Sequence, residues 1–97
     1  MVYKIFQLNH SEEAHNYRFL PYRENRVAQR SMYNVVYEGV IEDTGDVFGV
    51  LESLFAKFNI NHPADFKGHS LSVSDIIELD GKYYYCDSIS FVQLKNW

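Results

Sequence analysis

The stretch DIIELDGKYYYCD, from Asp75 to Asp87, leaves the chain little conformational choice. An aliphatic run and a tyrosine-rich run flank Asp80 and Gly81, the dipeptide favoured where a two-residue hairpin turn needs positive φ at both positions. Such a turn fixes the register: Leu79 opposes Lys82. Ile77, Leu79, Tyr84 and Cys86 then share one face of the hairpin, while Ile76, Glu78, Tyr83, Tyr85 and Asp87 share the other. The first face is expected to be the core.

Other segments supply further strands. Val2 to Leu8 (VYKIFQL) is β-branched and aromatic without Gly or Pro, and is expected to be a first, buried strand. Asn9 to Asn16 is either a loop or a short helical turn capped by Ser11, with Glu12 and Glu13 complementing the helix dipole. Tyr17 to Tyr22 (YRFLPY) reads as extended, at a sheet edge or a strand end, because Pro21 removes a ladder donor and biases Leu20 away from helix. After a polar connection over Arg23 to Ser31, Met32 to Ile41 alternates Tyr33, Val35 and Tyr37 against Asn34, Val36 and Glu38, with Gly39 expected to mark a bulge. Ile89 to Leu94 is expected to be the last strand, followed by a short tail, Lys95 to Trp97.

Between these strands the period changes. In Asp46 to Phe58, Val47, Leu51, Leu54 and Phe58 recur at helical spacing, with Glu52, Ser53 and Lys57 opposite, so one face of this helix is expected to pack on the sheet. Asp43 or Thr44 can cap its start, Asn59 can close its end in the left-handed conformation, and Pro63 prevents resumption. The expected class is α+β: an antiparallel sheet of about five strands, one main helix on a face, and a C-terminal hairpin.

Composition narrows the function classes. With 97 residues there is room for one domain, and 46% hydrophobic content with eight Tyr, seven Phe and one Trp supports a folded core. Cys86 is the lone cysteine, which excludes an internal disulfide and suits a reducing compartment. The first thirty residues contain no apolar run of signal-peptide length and nothing long enough to span a membrane, so a soluble cytoplasmic chain is expected. Net charge is −4 and uneven: residues 1–37 carry five basic and three acidic groups, residues 38–97 four basic and ten acidic. Such polarity can orient a partner.

The segment GHSLSVSD, Gly68 to Asp75, gathers a histidine, three serines and an aspartate. A hydrolase triad needs these groups to converge through their side chains. If Ser70 to Asp75 is extended, Ser70, Ser72 and Ser74 fall on one face and His69, Leu71, Val73 and Asp75 on the other, so the base faces away from every nucleophile. No GxSxG elbow is present either. The structural reading is that Gly68 frees the backbone, Leu71 and Val73 pack inward, and the Ser and Asp side chains bond nearby amides.

Joined to its context, FNINHPADFKGHSLSVSDIIELDGKYYYCDSISF from Phe58 to Phe91, this segment resembles the YodL-like family of small bacterial and phage-associated domains. The resemblance is carried by Phe58, Asn59, Pro63, Asp65, Phe66, Gly68 to Asp75, Tyr84, Tyr85 and Asp87, and extends to YKIFQL and YNVVYEG nearer the start. Ser88, Ile89 and Ser90 depart from it, standing where a more glycine-containing turn is expected before Phe91. The resemblance implies a domain carried by phages and mobile elements, alone or within larger proteins, with no enzymatic activity attached. For such a protein the implied role is binding and inhibiting a host factor, such as a defence nuclease, in the manner of an anti-CRISPR protein, or a cytoskeletal filament protein.

Three residue sets are candidates for that role or its alternatives. Arg18, Arg23, Arg26 and Arg30, interleaved with Tyr17, Phe19 and Tyr22, can follow a nucleic-acid backbone or anchor a protein interface, where Arg and Tyr concentrate binding energy, as can Tyr83 and Tyr85 of the hairpin. The structural alternative is that these arginines pair with Glu24 and the acidic half. Glu42, Asp43 and Asp46, with Glu38 and Glu52, can oppose a basic nuclease surface or simply form a solvated face. His10, His15, His62, His69 and Cys86 are of the types that bind zinc, so a small zinc-stabilised protein is a further alternative, although their spacing matches no ligand motif closely.

Overall fold

In a computed structural model that describes all 97 residues, the strands are β1 (Val2–Leu8), β2 (Tyr33–Val40), β3 (Ile76–Leu79), β4 (Lys82–Cys86) and β5 (Phe91–Leu94). They form one antiparallel sheet in the order β2-β1-β3-β4-β5. The hairpin has the expected register, with Leu79 opposite Lys82, and both turn residues take positive φ: 48° at Asp80 and 83° at Gly81. β2 and β3 both run antiparallel to β1, which lies between them. They are joined over one face by the main helix, as in a split β-α-β unit.

That helix, α2 (Val47–Ile60), starts later and ends later than its caps suggest. Asp46, not Asp43 or Thr44, is the N-cap, accepting from the Gly49 amide; the chain leaves the helix at Asn61 with φ −147°, so Asn59 remains helical. Thr44 and Asp43 are spent on the preceding turn, whose Gly45 and Asp46 amides they accept. Val50, Leu51, Leu54 and Phe58 are buried, each worth roughly 1.5–3 kcal/mol relative to exposure. They meet Tyr3, Ile5, Ile77, Leu79, Tyr84 and Cys86, the hairpin face expected to be core.

The opposite face is buried too, which the alternation along the hairpin did not disclose. Phe6, Leu8, Tyr33, Ile76, Tyr85 and Leu94 form a second cluster with Ala14 and Ala28. Its cover is the chain from residue 9 to 32: a one-turn helix α1 (Glu12–His15) capped by Ser11, irregular backbone, and a 3-10 turn over Arg30–Met32. Trp97 completes it, its indole donating to the Ala28 carbonyl at 2.9 Å.

Three local expectations fail for identifiable reasons. Tyr17 to Tyr22 is not a strand: it turns, with Phe19 at φ 62°, because side chains of the C-terminal half capture its backbone. Ser74 Oγ accepts from the Phe19 amide, the Tyr85 hydroxyl donates to the Leu20 carbonyl and Asp87 accepts from the Tyr22 amide. The bulge in β2 falls at Val36, since Ile5 pairs with Tyr37 and Phe6 with Val35. Gly39 instead makes room for Tyr3, whose hydroxyl would lie 2.6 Å from an added Cβ. β5 begins at Phe91, leaving Ile89 94% exposed in a turn closed by the Asp87 amide on the Ser90 carbonyl. None of residues 87–90 has positive φ, which is why serines serve where glycine was expected. No helix is long and apolar enough to cross a membrane.

Candidate functional site

The GHSLSVSD segment is a loop folded over the end of β1, and its organiser is a residue the sequence reading passed over, Gln7. The Gln7 amide nitrogen donates to the His69 carbonyl at 2.8 Å and to Asp75 Oδ2 at 3.1 Å, while its oxygen accepts the His69 amide at 3.1 Å. Asp75 Oδ2 also accepts the Ser72 amide at 2.9 Å. Gly68 is needed for close approach: a Cβ there would sit 2.3 Å from Gln7 Oε1. The one signal in the sequence was a glutamine inside the otherwise apolar end of VYKIFQL.

Extended alternation does not separate His69 from the serines, as expected; the loop bends instead. Ser74 has φ 85° and lies buried beside Asp75, with the Tyr33 hydroxyl donating to its carbonyl at 2.6 Å. Ser74 Oγ is committed to the Phe19 amide, and Ser72 Oγ is buried without a partner. His69 is exposed, with Nδ1 2.7 Å from the Ser70 carbonyl and 3.3 Å from Gln7 Nε2. Leu71 is core and Val73 half-buried.

Burial raises the Asp75 carboxyl to about 7; its bonds to Ser72 and Gln7 and the charge of Arg18 oppose this only in part. Burial, followed by the charges of Asp75 and Asp87, likewise pushes the Cys86 thiol up to about 12. The thiol is therefore neutral and unreactive at physiological pH.

The five zinc candidates do not assemble. His10 and His15 are exposed around α1, His62 lies against the Phe66 ring after α2, His69 is in the loop, and Cys86 is in the helix-side core. No three His, Cys, Asp or Glu side chains come close enough together to hold a metal ion.

The arginine and tyrosine candidates divide. Tyr85 is 1% exposed and cannot meet a partner; Tyr22 is half-buried against its ring. Arg18 donates to the Asn9 carbonyl at 2.8 Å. Arg30 lies over three rings, Phe6, Tyr83 and Trp97, at 5.0–5.3 Å, and donates to the Tyr83 hydroxyl at 2.8 Å. Arg23 and Arg26 are exposed. None of the four pairs with a carboxylate, contrary to the expectation of pairing with the acidic half: the one ion pair joins Lys4 and Glu38. Among the acids, Asp43 and Asp46 are occupied by local amides, and Glu42 is exposed.

What the arginine segment does form is one wall of a cleft of about 710 Å³. Its lining includes Val27, Ala28 and Arg30 on that wall and Leu94, Lys95 and Trp97 at the sheet edge. Three of the chain's nine lysines and arginines stand on the 22–30 segment and a fourth, Lys95, faces it; Glu24 is the single acid on that wall. On the helix side of the same edge a second hollow of about 310 Å³ is lined by Phe55, Ile89, Phe91 and Glu52.

No curated protein and no solved structure matches the chain. The model of one family does, over residues 2–97, and that span takes in every strand, the main helix, the Gln7–Asp75 loop and the cleft. The chain belongs to the family of YodL-like domains.

Proposed function

We propose that this domain is a non-enzymatic, protein-binding module of phage or mobile-element type that docks on a host protein and inhibits it, a defence nuclease being one such target. The observation that carries the reading is the cleft beside β5. It combines apolar lining with Lys95 and an arginine, Arg30, held over three rings, and the segment that forms its wall also carries the exposed cations Arg23 and Arg26, outside the lining and without carboxylate partners. Arginine and aromatic groups at a partly desolvated hollow are the composition of interface hot spots. Ser74 Oγ and Asp75 are committed to holding the fold and Ser72 Oγ is buried, which supports binding in place of catalysis.

Arg23 and Arg26 also suit a nucleic-acid phosphate backbone, and one experiment separates the two readings. Bacterial lysate is passed over the immobilised domain and over the Arg23→Glu, Arg26→Glu variant, with circular dichroism verifying that the variant folds. A stoichiometric protein retained by the first and lost by the second is expected. Retention of nucleic acid alone, released by salt, overturns the protein-binding reading in favour of the other.

A further inference from the structure

We infer that the free edge of β5 is a strand-addition site for an extended, acidic segment of a partner protein. This rests on the protein-binding reading and deepens it.

The hydrogen-bonding pattern identifies which backbone groups are open. The Cys86 amide donates to the Asp75 carbonyl, and the Cys86 carbonyl accepts the Ser74 amide, so Cys86 points its polar groups toward β3. In an antiparallel ladder the next residues point the other way, and Asp87 accordingly bonds toward Ser90. Continuing the alternation, Tyr85 exchanges bonds with Val92 and Tyr83 with Leu94, the pairs found in the register. Phe91 and Gln93 are left with their amides and carbonyls directed outward at the end of the sheet.

An added strand projects alternate side chains to the two faces of the sheet. Both faces have a hollow waiting at this edge. On one side is the cleft lined by Arg30 and Lys95 with one acid, Glu24, on a segment that also carries the exposed Arg23 and Arg26 outside the lining; on the other is the hollow of Phe55, Ile89 and Phe91. The complementary segment therefore alternates acidic residues, toward Arg30 and Lys95, with apolar residues, toward the phenylalanines. The cationic wall is not satisfied by this chain's own carboxylates, which makes charge complementarity available to the incoming one. The other edge is less suited: β2 carries the Val36 bulge, which interrupts regular pairing, and Glu38 and Glu42 would repel an acidic strand.

The test uses the full chain and a short peptide alternating valine and glutamate, with a valine–lysine peptide as control, followed by amide hydrogen exchange and chemical-shift mapping. The valine–glutamate peptide is expected to slow exchange at Phe91 and Gln93 and the control to leave them unchanged. Lys95→Glu, which reverses a cation lining the cleft, is expected to weaken the peptide by about tenfold or more. Gln93→Pro removes an outward donor while leaving the inner ladder intact, and is expected to abolish peptide binding in a protein that still melts cooperatively. Protection at Glu38 and Val40 instead, or equal binding of the lysine peptide, overturns the inference. So does a lysate partner that the Gln93→Pro protein still retains but the double arginine variant loses: such a partner docks on the arginines as a folded surface, and the protein-binding reading stands without strand addition.

Discussion

The two faces of the sheet are covered by different means. On one, α2 lays Val50, Leu51, Leu54 and Phe58 against Tyr3, Ile5, Ile77, Leu79 and Tyr84, and the cover satisfies its own backbone through helical bonds. On the other, residues 9–32 have little regular structure, so their polar backbone needs outside partners. These come from specific side chains: Tyr85 to Leu20, Asp87 to Tyr22, Ser74 to Phe19, Trp97 to Ala28. A helix cover is held mainly by apolar area and tolerates the loss of any one polar contact. An irregular cover is held in place by a few hydrogen bonds, each of which also decides where the chain runs.

The buried polar pair of Gln7 and Asp75 lies apart from both covers, and its carboxyl gives the largest expected effect. Asp75 is 2% exposed, and its carboxyl titrates near 7 in the folded protein against 3.8 when solvated. Between those values the folded state holds more protons than the unfolded state, so stability falls as pH rises through that window. The loss above pH 7 amounts to roughly 4 kcal/mol. Thermal or urea unfolding at pH 3.5, 5 and 8 is expected to show this decline, with more than half of it falling between pH 5 and pH 8. Asp75→Asn keeps an oxygen acceptor for Gln7 and Ser72 and is expected to flatten the profile and gain stability at pH 8. An unchanged slope in that variant would assign the pH dependence elsewhere.

Next in size is Leu54→Ala, which removes a fully buried side chain from α2. It is expected to cost about 3 kcal/mol, read as a lower urea midpoint at unchanged denaturant slope. The smallest effect is the most discriminating between the two covers. Tyr85→Phe deletes only the hydroxyl bonded to Leu20 and is expected to cost about 1 kcal/mol. Amide exchange should accelerate over residues 17–22 while α2 stays protected; equal acceleration in both would mean that the two covers open as one unit.

Legibility followed the same division. The hairpin, its register and the helix-side core were readable because period 2, period 3.6 and an Asp-Gly turn are local signals. Tyr17 to Tyr22 reads locally as extended, but its course is set by Ser74, Tyr85 and Asp87, more than fifty residues away in sequence. At the candidate site, Arg23, Arg26 and Arg30 could be picked out by type. That Arg30 is stacked, Tyr85 buried and Trp97 part of the cleft depended on packing between residues distant in the chain.

The sequence by itself therefore determined the α+β class, the pairing of β3 with β4, the apolar stripe of α2 and the family resemblance carried by GHSLSVSD. Only the tertiary structure decided that this stretch is a latch on Gln7, that the second sheet face is buried, and that β5 presents an open edge between two hollows. The physical reason is range. Periodicity and turn chemistry act over a few residues and are written in order along the chain. Buried hydrogen bonds and clefts join residues whose proximity exists only once the sheet has formed.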